Sequence, residues 1–274
     1  ADAYFPPVGL AVSGADWSLD AWVAGHAPAT LLIAEEIAAH DPPLAGDALR
    51  RQWPMIAHRA WARLRATGAP ATLRHDARPG DQAMRPTRPP QGEFFKFGGF
   101  EVAHRRFDGG RNEGLRREVF SGADAALVLP YDPARDRVLL VEQWRAGPAR
   151  RGDPQPWTLE PVAGLVDAGE TPEEAAIRET EEEAGLRVAD LTRMFAGYTS
   201  PGNSTDHHTA FLALCDLPDG HDGGGGLAEE HEDLRLHILP FDDALALVGT
   251  GEANAVPLVA MLLWLDRWRR LHRG

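Results

Sequence analysis

The sequence predicts an α+β fold, in which a mixed sheet is flanked by helices and preceded by a mainly helical amino-terminal segment. Three observations support this fold class. Apolar residues recur at helical spacing before about residue 90, and short β-rich runs separated by turn residues follow from residue 93. A strongly capped helix lies among those runs, at residues 172–184. We therefore expect a helical extension with its linker at residues 1–90 and a sheet-containing domain at residues 91–274.

The extension contains three apolar stretches with helical periodicity, at residues 17–22, 29–39 and 47–66. Tryptophans in the third stretch follow the spacing of its other apolar residues, which is typical of core or interface anchors. The passage at residues 77–91 is rich in Pro and Arg and is predicted to be an exposed linker.

The second part of the chain alternates β-branched and aromatic runs with turn residues. Gly109-Gly110 and residues 131–136 are predicted turns, and His207 and His208 are predicted loop residues rather than metal ligands. The predicted strands are 94–97, 100–107, one that begins at 117–120, 125–130, 137–143, 157–166, 191–198, 209–215 and 234–239, and the predicted closing helices are 241–248 and 256–271.

The helix at residues 172–184 has unusually clear start and stop signals. Thr171 is a good N-cap, Pro172 suits the first helical position, and Glu174 stands where a capping box requires it. Gly185 supplies the stop. These residues predict both ends of the helix.

This helix concentrates negative charge on one side. At helical spacing Glu179, Glu182 and Glu183 fall within an arc of about 100°, whereas Glu181 points away and is expected to be solvated. Clustered carboxylates repel each other, and hard divalent cations such as Mg²⁺ or Mn²⁺ take oxygen ligands. The alternative is an ordinary solvated acidic face, but Gly164, nearby in the sequence, belongs to the same spacing pattern.

Composition excludes several classes of function. The formal net charge of −13 argues against nonspecific nucleic-acid binding. The longest apolar run near the end, residues 255–265, is too short to cross a membrane, and no signal-peptide pattern opens the chain. Cys215 stands alone, so no intrachain disulfide can form and a reducing, cytoplasmic location is expected. The chain begins at Ala1 rather than Met, so a missing or removed segment upstream of residue 1 is compatible with the sequence.

The acidic helix and the loop before it resemble the Nudix box, the signature of hydrolases that cleave nucleoside diphosphates linked to another group. Thr180 departs from that pattern, since an aliphatic residue is usual there, and its slot is expected to face the core. The resemblance implies the Nudix α/β/α sandwich, in agreement with the derived order of elements. The matching residues are Gly164, Glu170, Arg178, Glu179, Glu182, Glu183 and Gly185.

Segments on both sides of the box resemble the ADP-ribose pyrophosphatase branch of this family. Pro201 lies sixteen residues after Gly185, where that branch has a marker proline. The helical extension is similar to the region before the Nudix domain in bacterial proteins associated with tellurite resistance, which often carry a further amino-terminal domain. The flanking motifs are residues 117–120, 129–133, 142–145, 160–164, 200–202 and 230–233.

The resemblance implies a site for Mg²⁺, with Mn²⁺ as an alternative. Glu182 would hold a metal or a bridging water, and Glu182 and Glu183 would also serve catalysis. Glu230 would orient or deprotonate the attacking water, although without the resemblance its segment would be a solvated acidic loop. The implied metal ligands are the backbone carbonyl of Ala163 and the side chains of Glu179, Glu182, Glu183 and Glu232.

The resemblance also implies residues that bind substrate. Arg117 and Arg145 suit phosphate or ribose oxygens, although a surface arginine on a strand is the ordinary alternative. Phe94 would stack on adenine or, alternatively, lie in the core, and Asp206 replaces a longer Glu of the relatives. Glu170 and Arg178 would fix the orientation of the acidic helix. The implied substrate-binding residues are Phe94, Arg117, Arg145, Glu160 and Asp206.

The resemblance implies Mg²⁺-dependent hydrolysis of ADP-ribose to AMP and ribose 5-phosphate by a homodimer with exchanged amino-terminal strands. The partner is then a small nucleotide-sugar substrate, with no nucleic acid and no membrane. Alternatives are hydrolysis of another nucleoside diphosphate sugar or a dinucleotide, a noncatalytic module that senses ADP-ribose, and a scaffold protein that works through its Trp-rich extension.

Overall fold

The computed structural model describes residues 18–221, 223–225 and 233–272. Within these residues, no helix is long and apolar enough to cross a membrane. In chain order the elements are α1 (Leu19–Ala38), α2 (Gly46–Arg65), β1 (Gln82–Pro86), β2 (Lys96–Arg105), β3 (Arg111–Ser121), β4 (Ala125–Asp132), β5 (Arg137–Trp144), α3 (Ala146–Arg151), β6 (Trp157–Glu160), β7 (Val162–Leu165), α4 (Pro172–Ala184), β8 (Asp190–Tyr198), β9 (His207–Leu214), β10 (Gly223–Gly225), β11 (Leu234–Pro240), α5 (Phe241–Thr250) and α6 (Val256–His272).

A mixed sheet of eight strands forms the centre of the described structure. Six strands run in the order β10-β11-β5-β4-β9-β8, while β6 pairs with β5 and β7 pairs with β4. The pairing of β4 with β9 is parallel, and the other pairings in this sheet are antiparallel. A strand with neighbours on both edges needs few polar residues, which agrees with the apolar character of β4 and β5.

Alternation along β4 divides the core into two layers. Ala126 and Val128 face α4, whereas Leu127 and Leu129 face the layer that contains α5 and α6. Helices therefore cover both faces of the sheet. The predicted α+β fold, a helix-flanked mixed sheet behind a helical segment, is confirmed.

The extension differs in detail from its prediction. Residues 17–22 and 29–39 were predicted as separate helices, but a single helix, α1 (Leu19–Ala38), joins the two stretches and contains Pro28. Proline removes one backbone donor, and because α1 is largely exposed, water can hydrogen-bond the carbonyl that loses its partner. The third predicted helix is confirmed as α2.

The predicted linker at residues 77–91 is wrong in part, because it contains strand β1. This strand pairs antiparallel with β2, and β3 completes a second sheet of three strands. All five residues of β1 are exposed, so the apolar pattern that predicts strands is missing. Pro86 ends this edge strand, a position where a missing N–H is tolerated. The division at residue 90 stays a prediction.

Several other boundaries also differ. The predicted strand at 157–166 is two strands, β6 and β7, separated at Pro161, which has no N–H to donate. The short α3 and β10 were not predicted. His207 and His208 open β9, so their placement in a loop was wrong. The first predicted β-run, 94–97, begins as a bend, and β2 starts only at Lys96.

Replacing Thr171 by Ala removes one half of the capping box of α4. Thr171 Oγ1 accepts from the N–H of Glu174, and the Glu174 carboxylate accepts from the N–H of Thr171. We expect the free energy of unfolding to fall by about 1 kcal/mol in chemical denaturation. Thr171→Ser, which keeps the hydroxyl, is the matched control, and equal stability of the two variants would show that the cap contributes nothing.

Candidate active site

Helix α4 is built as the sequence predicts and carries the candidate site. It begins after the Thr171 capping box and ends at Gly185, which has φ +62°. Thr180 is fully buried, and its hydroxyl donates to the Ala176 carbonyl, so its polar group is satisfied within the helix. Glu181 is exposed, as expected. On the opposite face, Glu179 and Glu183 are largely buried, whereas the Glu182 side chain is 37% exposed.

Arg178 lies at the centre of a cluster of carboxylates from Glu170, Glu179 and Glu182. Its Nε lies 2.9 Å from Glu170 Oε1, and its NH1 lies 2.6 Å from Glu179 Oε1 and 2.9 Å from Glu182 Oε2. A further bond of 3.1 Å runs from NH2 to the Leu165 carbonyl. Hydrogen bonds to Glu170 are the main reason why the pKa of this guanidinium is raised, with Glu179 and Glu182 adding to the effect. Arg178 thus joins the loop before α4 to the glutamates on α4.

Glu179 lies directly over the backbone of β7. A Cβ atom at Gly164 would come within 1.8 Å of Glu179 Oε1, so a side chain at that position would displace the carboxylate. Only 13% of the Glu179 side chain is exposed. The glycine of the box is thereby explained by space, since its φ is not in the left-handed region.

Glu183 is the most deeply buried of the box glutamates, with 3% of its surface exposed. Its Oε2 accepts from the backbone N–H of Ala163 at 3.2 Å. Ala163 lies on β7, where it pairs with Leu127 of β4. The predicted ligands Ala163, Glu179 and Glu183 are therefore brought together where α4 crosses β7.

The donor set fits a hard divalent cation. The Arg178 guanidinium bonds to three carboxylates, from Glu170, Glu179 and Glu182, and Glu183 adds a fourth beside β7, which leaves an excess of negative charge. Even so, no three Asp, Glu, His or Cys side chains of the described residues are arranged as a finished metal site. The two observations are compatible because Arg178 occupies oxygens that an ion would take. A guanidinium and a divalent cation compete for the same carboxylate oxygens.

Arg145 and Glu160, predicted separately as substrate residues, bind each other. Arg145 Nε and NH2 donate to the two oxygens of Glu160 at 2.9 and 2.6 Å, and Thr158 Oγ1 donates to Glu160 at 2.5 Å. Arg145 lies between β5 and α3. Arg145 and Glu160 line an open cavity of about 780 Å³, which is also lined by Arg151 and Asn254.

The other predicted substrate residues are spread more widely. Phe94 is 55% exposed and contacts Phe95 edge to face at 4.7 Å, which contradicts the alternative that it lies in the core. Asp206 lies against Gly122, where a Cβ would come within 1.8 Å of Asp206 Oδ1. Arg117 lies on β3 and donates to the Arg116 carbonyl. Glu230 and Glu232 lie outside the described residues.

Sequence reasoning missed four residues that border the box. Arg65 of α2 pairs with Asp124, next to β4. His58 of α2 pairs with Asp167, in the loop between β7 and α4. Arg65 and Asp124 are 59 positions apart. No motif or periodicity links such distant charges, so the sequence offers no signal for these pairs.

The chain is similar in sequence to a known domain family and to curated bacterial proteins. Residues 122–261 match the family model of the NUDIX domain. An ADP-ribose pyrophosphatase of Haemophilus influenzae is 37% identical over 175 residues, which cover 63% of this chain and 80% of the relative. One of Escherichia coli K12 is 37% identical over 173 residues, 63% of this chain and 82% of the relative.

More distant matches extend the comparison. A GDP-mannose pyrophosphatase of an Enterobacter strain is 31% identical over 151 residues, which cover 55% of this chain and 78% of the relative. A crystal structure of an ADP compounds hydrolase superposes with a TM-score of 0.53 at 21% identity, covering 69% of this chain and 92% of the other, which shows the fold alone.

The helix-flanked sheet and the glutamate-bearing helix define a hydrolase of the phosphoanhydride-cleaving class. The chain belongs to the NUDIX family, as its family-model match and its relatives show.

Gly164→Ala tests the close approach of Glu179 to β7. The added methyl group would occupy the position of the carboxylate, so we expect hydrolytic activity to fall by roughly 100-fold, the cost of a misplaced catalytic group. Gly197→Ala is the matched control, because nothing lies within 4 Å of a Cβ there. Steady-state kinetics of both variants provides the measurement, and full activity of Gly164→Ala would contradict the described packing.

Proposed function

We propose that the chain hydrolyses the diphosphate bond of ADP-ribose to AMP and ribose 5-phosphate, with Mg²⁺ as the metal and Mn²⁺ as an alternative. The observation that carries the proposal is the complete set of box glutamates, with Glu179 and Glu182 bonded to Arg178 and Glu183 bonded to the Ala163 N–H. The chain that carries this set is 37% identical to two ADP-ribose pyrophosphatases. A noncatalytic sensing module or a scaffold would have no need of that set.

The proposed ligands are the Ala163 carbonyl and the carboxylates of Glu179, Glu182 and Glu183. A divalent ion held there would neutralise the diphosphate and stabilise charge on the leaving phosphate. Arg178 holds Glu179 and Glu182 on one side of α4 before the ion binds. Glu183 is oriented by the Ala163 N–H, so the helix and β7 keep a fixed spacing.

The proposed reaction consumes one water. The water oxygen bonds to one phosphorus, the bond from that phosphorus to the bridging oxygen breaks, and the bridging oxygen leaves with the other phosphate. Glu230 is the proposed base that takes the proton of the water, and Glu232 is the proposed further ligand. Both assignments rest on the sequence pattern, since both residues lie outside the described part of the chain.

The proposed substrate contacts use the remaining site residues. Arg145 would bind phosphate or ribose oxygens, and its bidentate pairing with Glu160 supports a guanidinium held in one orientation. Phe94 is exposed enough to stack on a base. Arg117 and Asp206 keep their proposed roles in substrate binding.

A second candidate substrate class is supported by the relatives. GDP-mannose pyrophosphatases match over 53–55% of this chain at 31–36% identity. Hydrolysis of another nucleoside diphosphate sugar therefore remains the alternative to ADP-ribose.

We also propose a homodimer with exchanged amino-terminal strands, in a reducing compartment such as the cytoplasm, without nucleic acid as a partner. The three-stranded sheet β1-β2-β3, whose outer strand β1 has five exposed residues, supports the exchange. The single cysteine, Cys215, is buried, and its burial raises the pKa of the thiol to about 11, which supports an unreactive reduced thiol.

Glu183→Gln tests the metal site. The amide keeps the shape of the side chain and can still accept from Ala163 N–H, but it removes the negative charge that holds the ion. We expect AMP release to fall by at least roughly 100-fold with an unchanged circular dichroism spectrum. Glu181→Gln, on the exposed side of α4, is the matched control and should retain activity. Near-normal Mg²⁺-dependent turnover by Glu183→Gln would refute the assignment.

A substrate panel tests the nucleotide specificity. Purified full-length chain would be incubated with Mg²⁺ and ADP-ribose, ADP-glucose, GDP-mannose, NADH or diadenosine polyphosphates, and products would be separated by chromatography. We expect the highest kcat/KM for ADP-ribose. A clear preference for GDP-mannose would instead select the second candidate.

A further inference from the structure

One stripe of α2 faces the loop between β7 and α4, residues 166–171, here called the box loop. The stripe consists of His58, Trp61 and Arg65, spaced three and four positions apart, which places them on one side of the helix. All three contact the box loop, at Asp167, Gly169 and Glu170 respectively. The extension thus touches the segment that leads into the candidate metal helix.

Arg65 makes the most buried of these contacts. Its Nε donates to Asp124 Oδ2 at 2.7 Å, with side chains exposed by only 19% and 13%, and its NH1 donates to the Glu170 carbonyl at 3.4 Å. The backbone carbonyl of Asp124 accepts from Val166 N–H at 3.0 Å. Arg65 is therefore connected to both ends of the box loop.

The other two members of the stripe contact the middle of the loop. His58 Nε2 lies 3.2 Å from Asp167 Oδ1, and this hydrogen bond is the main cause that lowers the pKa of Asp167. The Trp61 ring passes beside Gly169, 3.9 Å from where a Cβ would stand. Since Gly169 has φ +86°, the tight turn and the ring contact occur at the same residue.

On its other side the box loop contacts the glutamate cluster. Glu170 accepts from Asp167 N–H at 2.9 Å and from Arg178 at 2.9 and 3.0 Å. Arg178 in turn binds Glu179 and Glu182. A continuous series of hydrogen bonds therefore runs from α2 through the loop to two of the proposed metal ligands.

The helix that carries the stripe is itself fixed in place. Arg59 binds both oxygens of Glu36 on α1 at 2.5–3.1 Å and donates to the Phe94 carbonyl at 2.7 Å. Lys96, at the start of β2, donates to Gln52 of α2 and to the Gly92 carbonyl. These bonds attach α2 both to α1 and to the segment before β2. Because Gln52, Arg59 and Lys96 are buried, the bonds are stronger than they would be in water.

We propose that Arg65 and His58 are positioning residues that hold the box loop, and through Glu170 and Arg178 set the affinity of the α4 glutamates for the divalent ion. The amino-terminal extension is then part of the catalytic unit. The inference rests on the proposed metal site of Glu179, Glu182 and Glu183.

The test compares Arg65→Ala with Arg63→Ala in the full chain. Arg63 lies on the same helix but forms an exposed 3.6 Å pair with Glu35, which makes it a matched control. Mn²⁺ binding would be titrated by electron paramagnetic resonance, well below each thermal midpoint. We expect the dissociation constant to rise about tenfold or more for Arg65→Ala and to stay within about twofold for Arg63→Ala, as for groups that orient metal ligands. Arg65→Lys, which can still pair with Asp124, should be intermediate.

Activity measurements on the same samples separate a positioning role from general weakening. We expect Arg65→Ala to need more Mg²⁺ for half-maximal turnover while its KM for ADP-ribose at saturating Mg²⁺ changes less than twofold. Mn²⁺ affinity equal to that of Arg63→Ala would overturn the inference. If Arg65→Ala fails to fold, His58→Ala takes its place in the titration, and wild-type affinity in that variant would also overturn it.

The two proposals fail in different ways. Wild-type chain that binds Mn²⁺ but leaves ADP-ribose intact refutes the proposed substrate, while the titrations still decide the role of Arg65. Wild-type chain that binds no Mn²⁺ refutes the metal site, and this inference with it.

Discussion

Like charges on one helix face are the constraint on which the site depends. Glu179, Glu182 and Glu183 project from the same side of α4, and Glu170 approaches from the loop. Carboxylates this close repel each other unless cations lie between them. Arg178 supplies one positive charge and bonds to three of the four. The negative charge that Arg178 does not balance explains why such a helix suits a hard divalent ion. A phosphate-rich substrate is itself negatively charged, so the helix suits it only when that ion is bound.

The fold serves this constraint through close packing. Gly164 allows Glu179 to lie against β7, and the Ala163 N–H orients Glu183 from the same strand. Because β7 pairs with β4 in the middle of the core, the backbone beneath the glutamates is held by the sheet. On its other side, the box loop is contacted by His58, Trp61 and Arg65 of α2. The site therefore combines a local sequence signature with support from two distant parts of the chain.

Local features could be predicted from the sequence, whereas most long-range contacts could not. The ends of α4 followed from Thr171 and Gly185, because capping depends on residues a few positions apart. Strand β1 escaped prediction, since all of its side chains are exposed and leave no apolar alternation. The pair of Arg65 and Asp124 joins segments 59 positions apart, and nothing in either segment points to the other. Family resemblance supplied the positions of Arg145 and Glu160 but not their direct bond to each other.

Anomalous diffraction from crystals of the full chain soaked in Mn²⁺ would locate the ion relative to the α4 glutamates. A metal site on α4 predicts a strong peak at about 2.1 Å from carboxylate oxygens of the α4 glutamates and from the Ala163 carbonyl, with Arg178 shifted from at least one of its present partners. A fully occupied Mn²⁺ elsewhere, with Arg178 still bonded to Glu179 and Glu182, would contradict it.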